Sequence, residues 1–130
     1  GLDYLHATKH QVHRDLKPGN ILIGLDGMVR LSDFGISKTL DNTRGMARSF
    51  VGTALYMAPE RIAGDDYSYA ADVWALGIVG LEGAQGEHPF AQLKSYYDLM
   101  HALTDEAAGP VVPRQARGLE DKEVAFLQTW

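Results

Sequence analysis

The stretch His13-Arg14-Asp15-Leu16-Lys17-Pro18-Gly19-Asn20, continued by Ile21-Leu22-Ile23, Gly24-Leu25-Asp26-Gly27, Met28-Val29-Arg30-Leu31-Ser32 and Asp33-Phe34-Gly35, decides how the rest of the chain is read. Two short apolar runs flank an Asp-Gly pair, which is the signal of a tight hairpin between two strands. The runs at 21–23 and 28–32 are therefore expected as strands, with Val29 and Leu31 on one face and Arg30 and Ser32 on the other. Such a hairpin starts from a carboxylate (Asp15), an ammonium (Lys17) and a carboxamide (Asn20), and it returns a second carboxylate (Asp33) toward them. Mg²⁺ takes oxygen ligands, keeps several waters and is held by one or two protein oxygens together with substrate phosphates. Asn20 and Asp33 can supply those oxygens, Lys17 can meet a phosphoryl group as a point charge, and Asp15 is left to orient a hydroxyl. Alone, Asp15 or Asp33 would be read as a turn or cap residue. Together the four residues outline a metal-phosphate site.

Downstream, Ala58-Pro59-Glu60 follows the same two clusters in order. His-Arg-Asp with Lys-Pro-Gly-Asn, then Asp-Phe-Gly, then Ala-Pro-Glu resembles the protein kinase catalytic core, whose phosphoryl-transfer arrangement is a known pattern rather than a new one. The resemblance implies a mainly α fold with a small β-hairpin (α+β), the large C-terminal lobe of a kinase. Residues 1–130 would then be a partial kinase domain holding the catalytic loop, activation segment and following helices, cut at both ends. It implies ATP and Mg²⁺ as cofactors. Asp15 would orient the substrate hydroxyl, Lys17 would stabilise the γ-phosphoryl, and Asn20 with Asp33 would hold metal. Leu22 matches the position under the adenine ring, against the plain alternative of a core leucine. His13 and Phe34 belong to the family's stacked apolar spine. Arg14, an always-charged fork, needs an anionic partner, and in the family this is a phosphate on the activation segment. Glu60 pairs in the family with an arginine far downstream of this chain's end, so the isolated segment is expected to be poorly stable.

From Ile36 to Met57 the chain is rich in Ser, Thr, Asn, Gly and Arg without periodicity, and reads as a long functional loop. Ser37, Thr39, Thr43, Ser49 and Thr53 are its hydroxyls, and a phosphate on one of them could order it against Arg14. Met46 to Thr53, followed by Tyr56 to Ile62, is similar to MAP kinase kinases. Their second phosphorylation site falls here on Ser49, but the first falls on Gly45; either Thr43 substitutes or one site suffices. Thr53 matches the hydroxyl that bridges the catalytic aspartate and lysine in serine/threonine-directed enzymes. The resemblance thus implies a serine/threonine or dual-specificity kinase with a MAP kinase as protein substrate and an upstream activating kinase. Two alternatives stay open: a serine/threonine kinase of another group, and an inactive kinase-like scaffold.

Composition agrees with a single soluble stretch of at most one domain: 130 residues, 45% hydrophobic, no cysteine. No disulfide framework is possible, which favours a reducing compartment, so cytosol or nucleus is the expected location. The net charge of −5 argues against a nucleic-acid or membrane surface, and no apolar run approaches a membrane span. Gly1 starts inside a helical pattern (Leu2, Leu5), where His6 and His10 are expected as surface or packing histidines. Residues 70–83 are apolar on every side of a helix, so that helix is expected to be buried all round. Asp72 within it must be bonded, and the resemblance supplies the amides of the His13-Arg14 turn. Glu82 matches a substrate-binding position of some basic-directed kinases. Gly86, Pro89 and Phe90 form a turn; Leu93, Tyr96 or Tyr97, Met100 and Leu103 repeat at helical spacing. A loop over 104–118 and a last helix opened by Glu120, Asp121 and Glu123 complete the reading.

Overall fold

A computed structural model describes residues 1–34, 52, 54–66, 68–93 and 95–104. Of the loop expected over 36–57, residues 36–51 with Ser49, and Thr53, lie outside the described residues, as do the loop and last helix beyond residue 104.

The hairpin forms where the turn chemistry puts it. Strands β1 (Ile21–Ile23) and β2 (Val29–Leu31) pair antiparallel, Ile21 opposite Leu31, Leu22 opposite Arg30, Ile23 opposite Val29. Gly27 takes a φ of +75°, which a residue without Cβ adopts cheaply, and its N–H donates to the Gly24 carbonyl at 2.9 Å. The Asp26 carboxylate caps the turn by accepting from the Met28 N–H at 3.0 Å and from Arg30 at 2.9 Å. Each strand holds three residues, so Met28 and Ser32, expected in the second run, lie just outside the strand.

Among the described residues three α-helices build the core. Helix α1 (Pro59–Ala63) starts on a proline, whose missing N–H is no loss at that position, and stops at Gly64 in the left-handed region. Helix α2 (Tyr69–Gln85) opens on Ser68, whose hydroxyl accepts from the Ala70 N–H, and ends on Gly86 at φ +74°. Helix α3 (Tyr96–Thr104) follows the turn through Pro89 and Phe90. Ala54, Ile62, Ile78, Leu81, Phe90 and Leu99 are buried together, with Trp74, Leu93, Tyr96, Met100 and Leu103 packed against them. Tyr96 rather than Tyr97 faces inward; its hydroxyl donates to the Ile62 carbonyl at 3.2 Å and ties α3 to α1.

One expectation needs correction. Helix α2 is not buried all round: Ala71, Asp72, Ala75, Ile78 and Leu81 form a buried strip, whereas Leu76 is 44% exposed. Val73, Trp74 and Val79 are half-buried, so Leu76 stands open on a helix that is otherwise partly covered. Leu22 is exposed on β1, which sets aside the plain alternative of a core leucine. The opening helical turn exists but is a π-turn, Tyr4–Thr8, with Leu5 as its buried contact.

Candidate functional site

The polar residues before β1 are gathered by a short 3₁₀ turn, Pro18–Asn20, that starts on proline and closes with the Asn20 N–H on the Lys17 carbonyl at 2.9 Å. This folds Lys17 and Asn20 back over Asp15. Lys17 Nζ lies 2.7 Å from Asp15 Oδ2, and Asn20 Nδ2 donates to Asp15 Oδ2 at 3.1 Å and to the Asp15 carbonyl at 2.7 Å. Two donors on Oδ2 hold the carboxylate in one orientation and leave Oδ1 as its open acceptor. Asn20 is buried, while the Asp15 and Lys17 side chains are partly exposed, so the loop presents its charge on a fixed base.

The base is fixed from far along the chain. Asp72, 2% exposed on α2, accepts from the His13 N–H at 2.6 Å and the Arg14 N–H at 2.9 Å. A buried carboxylate without partners would cost far more than the fold can absorb. His6 supplies a third contact, Nε2 to Asp72 Oδ2 at 2.8 Å, with its ring against Tyr69. Arg61 of α1 donates from Nη1 to the Arg14 carbonyl at 2.6 Å. Arg14 itself sits at φ +73°, a left-handed conformation that a non-glycine residue keeps only when its surroundings over-determine it.

His13 is fully buried with both ring nitrogens engaged. Nε2 donates to the Ser32 carbonyl at 2.9 Å, Nδ1 faces the Asp15 N–H at 3.4 Å, and the ring meets Phe34 edge-on at 5.6 Å. It has no free nitrogen with which to move a proton. Phe34, Leu5, His10, Gln11, Val12 and Arg14 line a cavity of about 250 Å³ behind the loop.

Asp33 follows β2 at φ +58°, exposed, and Ser32 just before it donates its N–H to the Asn20 carbonyl at 3.0 Å. The returning strand therefore reaches the loop through its backbone. Asn20 has turned its amide nitrogen onto Asp15, so its Oδ1 points the other way. One carboxamide oxygen and one carboxylate suit Mg²⁺, which keeps waters and phosphate oxygens in its remaining positions. Among the described residues no three His, Cys, Asp or Glu side chains cluster as an all-protein metal cage.

Glu60 lies half-buried on α1; among the described residues no ion pair reaches its carboxylate. Glu82 accepts from the Tyr56 hydroxyl at 2.7 Å, and burial with the neighbouring carboxylate pushes the Tyr56 phenol well above its usual range. His6, Arg61 and Tyr56 escape sequence reasoning because their partners lie 66, 47 and 26 positions away, with no local pattern to mark them. Among the described residues no helix is long and apolar enough to cross a membrane.

A family model described as "Protein kinase domain" matches residues 1–120. Mitogen-activated protein kinase kinase 3 of Arabidopsis thaliana is 47% identical over 115 residues, 88% of this chain and 22% of its own length. The mitogen-activated protein kinase kinase SIPKK of Nicotiana tabacum is 46% identical over 121 residues, 88% of this chain and 34% of its own. Mitogen-activated protein kinase kinase 5 of Leishmania mexicana is 52% identical over 95 residues, 72% of this chain and 18% of its own. The chain thus spans between 18% and 34% of the length of these relatives.

Proposed function

The chain belongs to the protein kinase domain family, and from that premise we propose that the full-length protein transfers the γ-phosphoryl group of ATP to protein hydroxyls. Its place would be that of a MAP kinase kinase in a phosphorylation cascade, acting on a MAP kinase and switched on by an upstream kinase; the names of its relatives support this. The observation that carries the reading is the Asp15 carboxylate clasped at Oδ2 by Lys17 and Asn20.

That arrangement has a direct chemical use. Asp15 Oδ1 accepts the proton of the incoming hydroxyl, whose oxygen forms the new bond to the γ-phosphorus. The bond from that phosphorus to the bridging oxygen breaks, its electron pair leaves with ADP, and the proton passes from Asp15 to solvent. Lys17, already beside Asp15, opposes the negative charge on the moving group. Mg²⁺, which the family uses with ATP, would be held by Asn20 Oδ1 and Asp33 and neutralises phosphate charge when bound. Leu22, exposed on β1, offers an apolar surface for the adenine. Regulation belongs to the same reading: a phosphate on Ser49 would meet Arg14, and Thr53 would bridge Asp15 and Lys17.

Replacing Asp15 with Asn in the full-length protein removes the proton acceptor and keeps the shape. Phosphotransfer to a protein substrate should fall by about 10²- to 10⁴-fold, the usual contribution of a positioned acid or base. A variant that works at the wild-type rate would overturn the assignment.

A further inference from the structure

Three peptide planes lead into Asp15, and each is held by a different atom. The N–H groups of His13 and Arg14 belong to the first two, and both end on Asp72. The third joins Arg14 to Asp15; its N–H faces His13 Nδ1 at a long 3.4 Å, and its carbonyl oxygen accepts from Arg61 Nη1 at 2.6 Å, the shorter hold. That plane sets the direction of the Asp15 side chain, because the only rotation between it and the Asp15 Cα–Cβ bond is one backbone torsion.

Arg61 is well placed for this task. It rides on α1, whose Ala58 and Ile62 neighbours are buried and whose Ile62 carbonyl is tied to Tyr96 of α3. The donor thus comes from the apolar core, opposite in origin to Asp72 on α2. Arg14 needs such a hold: at φ +73° its backbone gains by rotating the following peptide away, unless something grips the carbonyl. Arg61 also follows Ala58-Pro59-Glu60 directly, so the grip joins that segment to the catalytic loop.

We propose that Arg61 is a positioning residue for the transfer step: by holding the Arg14 carbonyl it fixes the last peptide plane before Asp15 and aims the carboxylate. The inference rests on the kinase reading for its kinetic consequence, and on geometry alone for its structural one.

The test uses the full-length protein with Arg61→Met, which keeps the apolar stem and removes the donors, and Arg61→Lys, which keeps a single donor able to reach a carbonyl. In Arg61→Met, kcat should fall roughly tenfold, the worth of one charge-assisted hydrogen bond, while KM for ATP stays near wild type. Hydrogen exchange at the amides of residues 13–15 should accelerate in the same variant without change in α3. Arg61→Lys should restore most of kcat and the protection. Wild-type kcat and exchange in Arg61→Met would overturn the inference. So would an equal loss in both variants with exchange raised throughout α1 and α3, because that marks a general loss of folding. If the wild-type protein transfers no phosphate, the kinase reading fails, and exchange at residues 13–15 still decides whether Arg61 holds the plane.

Discussion

The loop from His13 to Asn20 and the hairpin that follows it are neighbours in sequence and opposites in how they are held. From His13 to Asn20 the backbone is gripped from outside, by Asp72, itself bonded to His6, on one side and Arg61 on the other, and His13, Leu16 and Asn20 are buried. From Ile21 to Leu31 nearly every bond is internal: the strand pair, the Gly24–Met28 turn and the Asp26–Arg30 contact. Its apolar side chains point outward, with Ile23 76% exposed. A turn needs only the right few residues in a row. A loop that holds a carboxylate at one angle, through a left-handed Arg14, needs directional bonds from elsewhere, and those come from 47 to 59 positions away.

Breaking the strongest of those bonds is the severest test of the contrast. Asp72→Ala strands the amides of His13 and Arg14, and each unsatisfied buried donor costs about 1–3 kcal/mol. Urea unfolding of the chain should register a loss of about 3 kcal/mol, and in the full-length protein phosphotransfer should fall with it. If the loss stays below about 1 kcal/mol, the loop does not depend on its distant anchor and the contrast is gone.

What could be read in the sequence follows the same division. The hairpin was legible because Asp26-Gly27 and the flanking apolar runs are local signals, whereas its register came only with the structure. Asp15, Lys17, Asn20 and Asp33 could be picked out as candidates because the chain places them within one short segment; the structure joins the first three by side-chain contacts and reaches them from β2 through the Ser32 backbone. Asp72 was legible as a carboxylate in need of partners, but its amide acceptor role came from the resemblance rather than from spacing. His6 and Arg61 carried no mark, because a histidine in an opening helix and an arginine after Ala58-Pro59-Glu60 look like solvent-facing residues until the fold brings Asp72 and the Arg14 carbonyl to them. The all-round burial expected of α2 failed for a related reason: composition shows that a face is apolar, not whether anything covers it, and Leu76 is left open.

A second polar anchor sharpens the comparison through pH. His88 accepts from the Phe90 N–H at Nδ1, 3.0 Å, and its ring meets Tyr56 edge-on beside Glu82. Burial holds its proton affinity below the ordinary value of 6.5, with the Glu82 charge opposing that shift. The unfolded chain therefore takes up a proton near pH 6.5 that the folded chain refuses. The stability contributed by neutral His88 is present above that pH and is lost as pH falls through the depressed folded value. The urea midpoint of the wild type should drop on acidification more than that of His88→Phe, which has no ring nitrogen to protonate. Parallel pH profiles for the two would show that the histidine is not coupled to folding.

The mildest expected effect lies in the hairpin, at Val29. It pairs with Ile23 across the sheet, and both side chains stand largely in solvent, Val29 at 61% exposure. Val29→Thr keeps the branched Cβ that suits a strand and changes only a methyl group that touches water, so burial and strand preference both stay nearly constant. Urea unfolding of the chain should shift by no more than about 0.5 kcal/mol. A loss above about 1 kcal/mol would mean that this face contributes to packing, and the hairpin would then not be self-contained. Measuring the same substitution in the full-length protein separates two sources of cost. If the loss appears only there, it measures the area by which other parts of the protein cover the strand, at about 25 cal/mol for each Å² of apolar surface.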